Sequence, residues 1–342
     1  LPLAHPAAPA PASAVLSGAM IAVGALGALR YLATPLPGAG EVIVLLGAAS
    51  ALAGVLLGLR QSNAKTILAY SSVSQMGLAA VGVGLVLLAE GKAQTTAAVA
   101  ATTLFVVHHG LAKAALFLST AMAPGSGHGF IRVVRRCALV LPALALAGAP
   151  LTSGYIAKSA LKDMPAGPAW VDLFLSISSL ASTLLLIRFL RVMWRKEGHE
   201  KAGTLPPIIV AVLLSLVGYA MWPGANLGDF ADIRAADVFA ALWPVVAGAA
   251  LGWLVERWLG NGAEHERLPF SPGAGVMHLL ANAAPRFDHW ATAPLFTGQG
   301  ATDTMRRLGT RLAEIDAKGQ SWRRGALASI LIATMMLWLA QR

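Results

Sequence analysis

The fold is decided by the stretch Thr103-Leu-Phe-Val-Val-His-His-Gly-Leu-Ala-Lys-Ala-Ala-Leu-Phe117, an apolar run that contains His108, His109 and Lys113. A second stretch completes it: Gly148-Ala-Pro-Leu-Thr-Ser-Gly-Tyr-Ile-Ala-Lys158, an apolar run that is interrupted in its middle. Ionisable side chains are costly inside a membrane and are kept there when they are paired or functional. Both runs therefore carry residues that an ordinary membrane helix excludes.

The composition predicts a helical membrane protein that crosses the bilayer many times. The 342-residue chain is 56% hydrophobic and only 12% charged, whereas soluble domains are about 25% charged. Its apolar runs are close to 20 residues long and do not alternate, which is typical of membrane helices. The net charge of +10 then indicates basic cytoplasmic loops rather than nucleic-acid binding. The single cysteine, Cys137, excludes an internal disulfide and a cysteine-based metal site.

Nine membrane crossings are predicted, the fifth of them discontinuous. Gly148 and Pro150 interrupt the fifth, since proline removes a backbone donor and clashes with the preceding turn. A break at that depth is tolerated where the freed backbone faces protein or water. The segment 260–324 is predicted to be a cytoplasmic connector, either a helix lying on the membrane surface or a solvated link. The crossings are 13–32, 42–59, 66–88, 95–122, 137–162, 170–194, 206–222, 235–258 and 325–339.

Basic residues orient these crossings. They cluster in four loops, which fall on one side of the membrane when the broken fifth segment counts as one crossing. The positive-inside rule makes that side cytoplasmic, together with the N-terminus. The loop residues are Arg60 and Lys65; Arg132, Arg135 and Arg136; Arg188, Arg191, Arg195, Lys196 and Lys201; and Arg257, Arg267, Arg306, Arg307, Arg311, Arg323 and Arg324.

Lys113 and His109 are the first candidate functional residues. Lys113 lies deep in the fourth crossing, where a charge costs roughly 3 kcal/mol on insertion scales. His109 is one turn earlier on the same helical face, and imidazole titrates in the physiological range. His108 is rotated away by about one position. The spacing favours a short proton relay, with a structural hydrogen-bonded pair between helices as the alternative.

Lys158 is the second candidate, because it follows the helix break. Gly148, Pro150 and Gly154 allow the backbone to unwind there, and the ends of half-helices offer carbonyls and amides to an ion or water. The alternative is a lysine that extends towards the membrane interface. Lys65 precedes a segment with hydroxyls at Tyr70, Ser71, Ser72 and Ser74, which either line a wet path or hydrogen-bond between helices.

No enzyme motif is present in the sequence. There is no Walker loop, no dinucleotide fingerprint and no carboxylate pair within an apolar run. The adjacent residues His108 and His109 do not share one helix face, as an i, i+4 metal-binding pair would. We therefore predict no cofactor, no metal and no redox centre in this chain.

Five motifs, in this order and spacing, resemble those of the antiporter-like membrane subunits of respiratory complex I, group 4 hydrogenases and multisubunit cation/proton antiporters. The resemblance covers roughly residues 1 to 195, and the first motif is most similar to the hydrogenase-4 component B type. The motifs are Leu1–Pro9, Ser17-Gly18, Lys65–Gly77, His109–Phe117 and Gly148-x-Pro150-x-x-x-Gly154-x-x-x-Lys158.

The resemblance implies a specific domain organisation. Family members have two five-helix inverted repeats, each with a broken helix, and an axis of lysines, histidines and a glutamate. Residues 1–33 would then be a lead-in and the last helix of the first repeat, 34–195 the second repeat, and 196–342 the C-terminal helices. The chain would begin part-way into the family fold. Either a separate chain then supplies the first half, or this subunit does not conduct by the usual full route. Ala22 stands where the family usually has a lysine.

The predicted function is proton translocation through Lys113, His109, His108, Lys158 and Lys65. The chain would serve in the membrane arm of a complex I-like or hydrogenase-like redox complex, in a bacterial inner membrane. The missing lysine at Ala22 favours an alternative, a non-conducting scaffold subunit of such a complex. Cation/proton antiport and inorganic-carbon uptake are further alternatives, and the identity of the neighbouring subunits discriminates among them.

Overall fold

A computed structural model describes the architecture over residues 1–31, 37–121, 129–150, 152–164, 167–195 and 235–260. Within these ranges the only regular secondary structure is helical, which confirms the predicted all-α class. The crossings predicted at 206–222 and 325–339 lie outside the described residues, as does the connector beyond Gly260.

Ten α-helices are described. The short helix α1 (Ala4–Ala7) precedes a continuous membrane-length helix, which consists of α2 (Ala10–Val15), a π-helical segment (Leu16–Met20) and α3 (Ile21–Tyr31). The remaining helices are α4 (Pro37–Leu59), α5 (Ala64–Leu88), α6 (Gly91–Ser119), α7 (Gly129–Ala147), α8 (Ser153–Lys162), α9 (Trp170–Arg195) and α10 (Ala235–Gly260).

Six of the described helical segments are long and apolar enough to span a membrane, so the chain is a multi-pass membrane protein. They correspond to the predicted crossings one to four, six and eight. The predicted fifth crossing appears as two shorter helices, α7 and α8, separated at Gly148–Thr152. Helix α7 begins at Gly129 rather than at Cys137, because arginine is a good helix former and continues the helix beyond its apolar part.

Helices α4 and α5 pack with their backbones almost in contact. An ideal Cβ placed on Gly47 of α4 would lie 2.6 Å from the carbonyl oxygen of Gly77 on α5. One placed on Gly54 would lie 2.7 Å from the backbone nitrogen of Ser74. Small residues allow this close approach between membrane helices. Gly58, four residues after Gly54 on α4, likewise packs closely on Tyr70 of α5.

Helix α6 is the central element of the described fold. It contacts α2, α3, the π-helical segment, α5, α7 and α8. Every residue from Leu104 to Ser119 is buried. Since α6 carries His108, His109 and Lys113 in this buried part, the fold surrounds the ionisable residues of the deciding stretch with protein.

Candidate functional site

Lys113 is fully enclosed and hydrogen-bonds to a backbone carbonyl. Its side chain is 0% exposed, and its Nζ donates to the carbonyl oxygen of Leu68 on α5 at 2.7 Å. The hydroxyl of Ser72 donates to the same oxygen at 3.1 Å and lies 2.6 Å from the hydroxyl of Ser17 in the π-helical segment. A neutral carbonyl partner suits both states of the amine, because removing the proton leaves no buried counter-charge without a partner.

His109 lies one turn before Lys113 and is also 0% exposed. Among the described residues, neither ring nitrogen of His109 has a hydrogen-bonding partner. Buried polar atoms are nearly always paired with protein or ordered water. The two ring nitrogens of His109 are therefore among the exceptions in the described part of the chain.

The π-helical segment lies directly against this part of α6. A Cβ built on Gly18 would lie 2.9 Å from the carbonyl oxygen of Gly110, which is the residue next to His109. Such π-helical insertions are rare and frequent at functional sites. The segment thus packs its backbone against Gly110 and Ala114 of α6. A Cβ built on Gly110 would overlap the carbonyl oxygen of Gly18, so this contact needs glycine on both helices.

His108 points to the broken helix, whereas His109 is associated with Lys113. The Nδ1 of His108 lies 2.9 Å from the hydroxyl of Ser153, the first residue of α8. A Cβ built on Gly154 would lie 3.0 Å from its Nε2, and the charge of Lys158 acts on the ring. The adjacent histidines thus belong to two neighbouring clusters, one at Lys113 and one at the break.

Lys158 belongs to α8, and its side chain is buried against the end of α7. Its exposed fraction is 4%, and its Nζ donates to the carbonyl oxygen of Ala147, the last residue of α7, at 3.0 Å. The C-terminus of a helix carries partial negative charge, which stabilises a cation. The structure therefore places Lys158 on the break itself, in the buried interior of the described fold.

The chemistry of the break follows from its own residues. Gly148 has φ +85°, which side-chain-bearing residues rarely adopt, and a Cβ there would also lie 2.9 Å from Cδ of Lys158. After Pro150, Thr152 caps the second half-helix by accepting a hydrogen bond from the amide of Tyr155. Of the residues predicted from the sequence to form the break, Gly148 and Pro150 lie between the two half-helices, and Gly154 is the second residue of α8.

Lys65 lies in the first turn of α5, apart from the buried lysines. Asn63 caps this helix by accepting from the amides of Lys65 and Thr66. The Nζ of Lys65 donates to the carbonyl oxygen of Ala8 at 2.6 Å, which ties the start of α5 to the segment between α1 and α2. The hydroxyl residues Ser71, Ser72 and Ser74 that follow it are buried.

His5 is a further buried histidine, outside the set of site residues predicted from the sequence. It is 0% exposed and stacks on Phe117 of α6, with ring centroids 4.3 Å apart and planes inclined by 24°. Both its ring nitrogens lack partners among the described residues. The motif Leu1–Pro9 contains His5, so the sequence offered it as a candidate. The contact between His5 and Phe117 could not be predicted from the sequence.

We expect His5 to make the folded protein sensitive to acid. Burial, and next the charge of Lys113, lowers the pKa of His5 from 6.5 to about 4. Below about pH 6.5 the unfolded chain binds a proton at this site that the folded protein does not, so stability falls as the pH decreases. His5→Phe keeps the stacking on Phe117 and removes the titration. In thermal unfolding in mild detergent, the Tm of the variant should decrease less between pH 7 and pH 5 than the Tm of the wild type. An equal loss would show that His5 is not the group responsible.

Ala22 occupies the position at which the resemblance leads one to expect a lysine. It is 0% exposed and packs in an apolar cluster that includes Leu29 and Val44. The structure therefore has hydrophobic packing at this point of the first membrane helix.

A discontinuous helix beside buried lysines and histidines, within a bundle of membrane-length helices, defines a polytopic helical membrane protein fold. Residues 1–164 match the family model described as NADH:quinone oxidoreductase/Mrp antiporter, TM. Over these residues, 164 of 342, the chain is similar to the antiporter-like membrane proteins of that family.

Individual curated proteins show the same similarity. Hydrogenase-4 component B of Escherichia coli is 41% identical over 127 residues, which are 34% of this chain and 19% of that protein. NADH-quinone oxidoreductase subunit N of Cutibacterium acnes is 28% identical over 257 residues, 66% of this chain and 48% of that protein.

A solved structure, the Mrp complex from Dietzia sp. DQ12-45-1b, shares the fold. Its TM-score is 0.51 at 19% identity, over 82% of this chain and 34% of that one. The chain thus spans about half, or less, of the length of these relatives.

Proposed function

We propose that this chain is a proton-translocating subunit in the membrane arm of a multisubunit complex. Its residues would conduct one half of a proton path, from Lys113 and His109 on α6 to Lys158 at the break between α7 and α8. The driving force would come from redox chemistry in other subunits. We infer a bacterial inner membrane as its location, as the bacterial relatives suggest.

The observation that carries this proposal is the environment of Lys113. It is a fully buried lysine whose hydrogen-bonding partner is the neutral carbonyl of Leu68. A lysine retained only for structure would be expected to pair with a carboxylate, because an uncompensated buried charge is strongly destabilising. A neutral acceptor is compatible with a lysine that gains and loses a proton, because no buried counter-charge is left unpaired when the amine is neutral.

The path would run along α6 and then to the break. From Lys113, a proton would pass to His109, whose unpaired nitrogens allow uptake and release. His108 is the next residue of α6, and its side chain contacts Ser153 at the start of α8. Lys158, on the same half-helix, would be the terminal group. Buried water is expected to bridge the steps, since isolated imidazole nitrogens are costly to leave unpaired.

The proposal is tested by proton uptake in inverted membrane vesicles from a strain that lacks this chain. Restoring the wild-type chain should restore acidification of the vesicle lumen that is driven by the host's redox substrates. Acidification that requires sodium would favour cation/proton antiport, and rescue of bicarbonate uptake would favour an inorganic-carbon function. Unchanged acidification in the absence of the chain would contradict a conducting role.

A second candidate function is a scaffold that occupies the place of an antiporter module without conducting. The burial of Ala22 in an apolar cluster favours it, because the resemblance leads one to expect an ionisable link there. In that case the complex would need the chain for assembly, and its proton transport would be insensitive to neutral substitutions at Lys113 and Lys158. The separate chain that would supply the first half of the path stays a prediction, which co-purification from native membranes tests.

A further inference from the structure

We propose that Lys162, together with Asp163 and Asp172, forms the outward port of the proton path. This inference rests on the proposed function and names the residues by which a proton leaves Lys158. None of the three belongs to the motifs of the resemblance.

Lys162 is the last residue of α8 and lies one helical turn beyond Lys158. Residues four apart share a helix face, with Cβ atoms about 5–6 Å from each other. Lys158 is buried, whereas Lys162 is half-buried and the following residue, Asp163, is exposed. The pair therefore leads in one turn from the buried break to the surface.

Helix α9 supplies the second wall of this port. The Nζ of Lys162 donates to the hydroxyl of Ser176 at 2.8 Å, and that hydroxyl donates to the carbonyl oxygen of Asp172 at 3.1 Å. The carboxylates of Asp172 and Asp163 both act electrostatically on Lys162. Asp172 is exposed and lies in the first turn of α9.

The charged and titratable groups around Lys162 have opposite effects on its proton. Lys158 on α8 disfavours a second positive charge one turn away, and His108 on α6 lies beyond Lys158. Asp163 and Asp172 favour that charge from the exposed side. A proton on the lysine pair is thus attracted outwards, and the pair is unfavourable when both members are protonated.

The step is a simple proton transfer. An N–H bond of the Lys158 ammonium breaks and a new N–H bond forms on the neutral amine of Lys162, directly or through one water. The Lys162 ammonium then gives its proton to a carboxylate or to water at the surface. By the positive-inside rule this surface faces away from the cytoplasm, because the opposite end, the first turns of α7, carries Arg132, Arg135 and Arg136.

Two substitutions at Lys162 separate a relay from a structural role. Lys162→Met removes the amine, and Lys162→Arg keeps a positive charge and the donors for Ser176. Arginine does not release its proton in proteins. If Lys162 carries protons, proton translocation should fall by about tenfold or more in both variants. If Lys162 only holds α8 against α9, arginine should restore the wild-type rate, and this result would overturn the proposal.

The assay is proton translocation by the assembled complex in membrane vesicles, with the amount of assembled complex measured in each preparation. Lys92→Met is the matched control, since Lys92 is an exposed lysine at the start of α6, and it should retain the wild-type rate.

The variant Lys113→Ala, measured in parallel, distinguishes a failure of the outward port from a failure of the proposed function. If Lys113→Ala stops proton translocation and Lys162→Met does not, the proposal of an outward port at Lys162 is wrong, and the proposed path through Lys113 is unaffected. If neither affects transport, the proposed function itself is wrong.

Discussion

Lys113→Ala should stop proton translocation while the chain still inserts and assembles. The substitution removes a fully buried amine whose hydrogen-bonding partner is the carbonyl of Leu68. That carbonyl keeps the hydrogen bond from Ser72, so it is not left without a donor. Loss of a positioned proton carrier typically costs 10²- to 10⁴-fold in rate, and we expect at least about 100-fold here.

Further variants at this position distinguish charge from proton transfer. Lys113→Met has similar length and no charge, and it should be as inactive as alanine while leaving a smaller cavity. Lys113→Arg keeps a permanent positive charge and should also be inactive, because guanidinium stays protonated. The control Lys92→Ala changes an exposed lysine on the same helix and should have wild-type activity. Activity in Lys113→Arg would indicate an electrostatic role in place of proton transfer.

Gly154→Ala should prevent correct folding around the broken helix. A Cβ at this position would overlap the carbonyl of Ala145 on α7 and would come within 3.0 Å of Nε2 of His108. One contact is backbone, so it cannot be relieved by a rotamer change. Overpacking of a well-filled core costs typically 1–3 kcal/mol and occasionally more, and we expect the upper end or beyond. The amount of folded chain in the membrane should decrease accordingly.

A matched control is available at Gly24 of α3. A Cβ there would meet no atom within 4 Å, and alanine exceeds glycine in helix propensity by up to about 1 kcal/mol. Gly24→Ala should therefore fold at least as well as wild type. Comparing the two variants by thermal unfolding in detergent isolates the steric effect. Equal stability of Gly154→Ala and Gly24→Ala would contradict the close packing of α7 and α8.

The break between α7 and α8 was predictable because its causes are local. Pro150 prevents a continuous helix, and Gly148 adopts the positive φ that ends α7. The position of His109 relative to Lys113 was also predictable, since helical spacing alone places them on one face. These features depend on residues close in sequence, and the structure has them where the sequence analysis expected them.

The partners of the buried residues were not predictable in the same way. Lys113 contacts the Leu68 carbonyl 45 residues earlier, and nothing in the composition of α5 indicates that this carbonyl, among many, is the acceptor. His5 stacks on Phe117 of α6, a contact between residues far apart in the sequence that no local pattern indicates. The π-helical segment Leu16–Met20 has no distinctive composition, and its π geometry is visible only in the structure.

The central claim is that the buried lysine and histidine residues of α6 and α8 carry protons. The most direct test is the number of protons translocated per turnover of the assembled complex, measured in inverted membrane vesicles for wild type and Lys113→Ala. The account predicts that the variant complex assembles and turns over with fewer protons moved, or that its turnover stops because the two processes are obligatorily coupled. An assembled Lys113→Ala complex with wild-type turnover and the wild-type number of protons per turnover would contradict it.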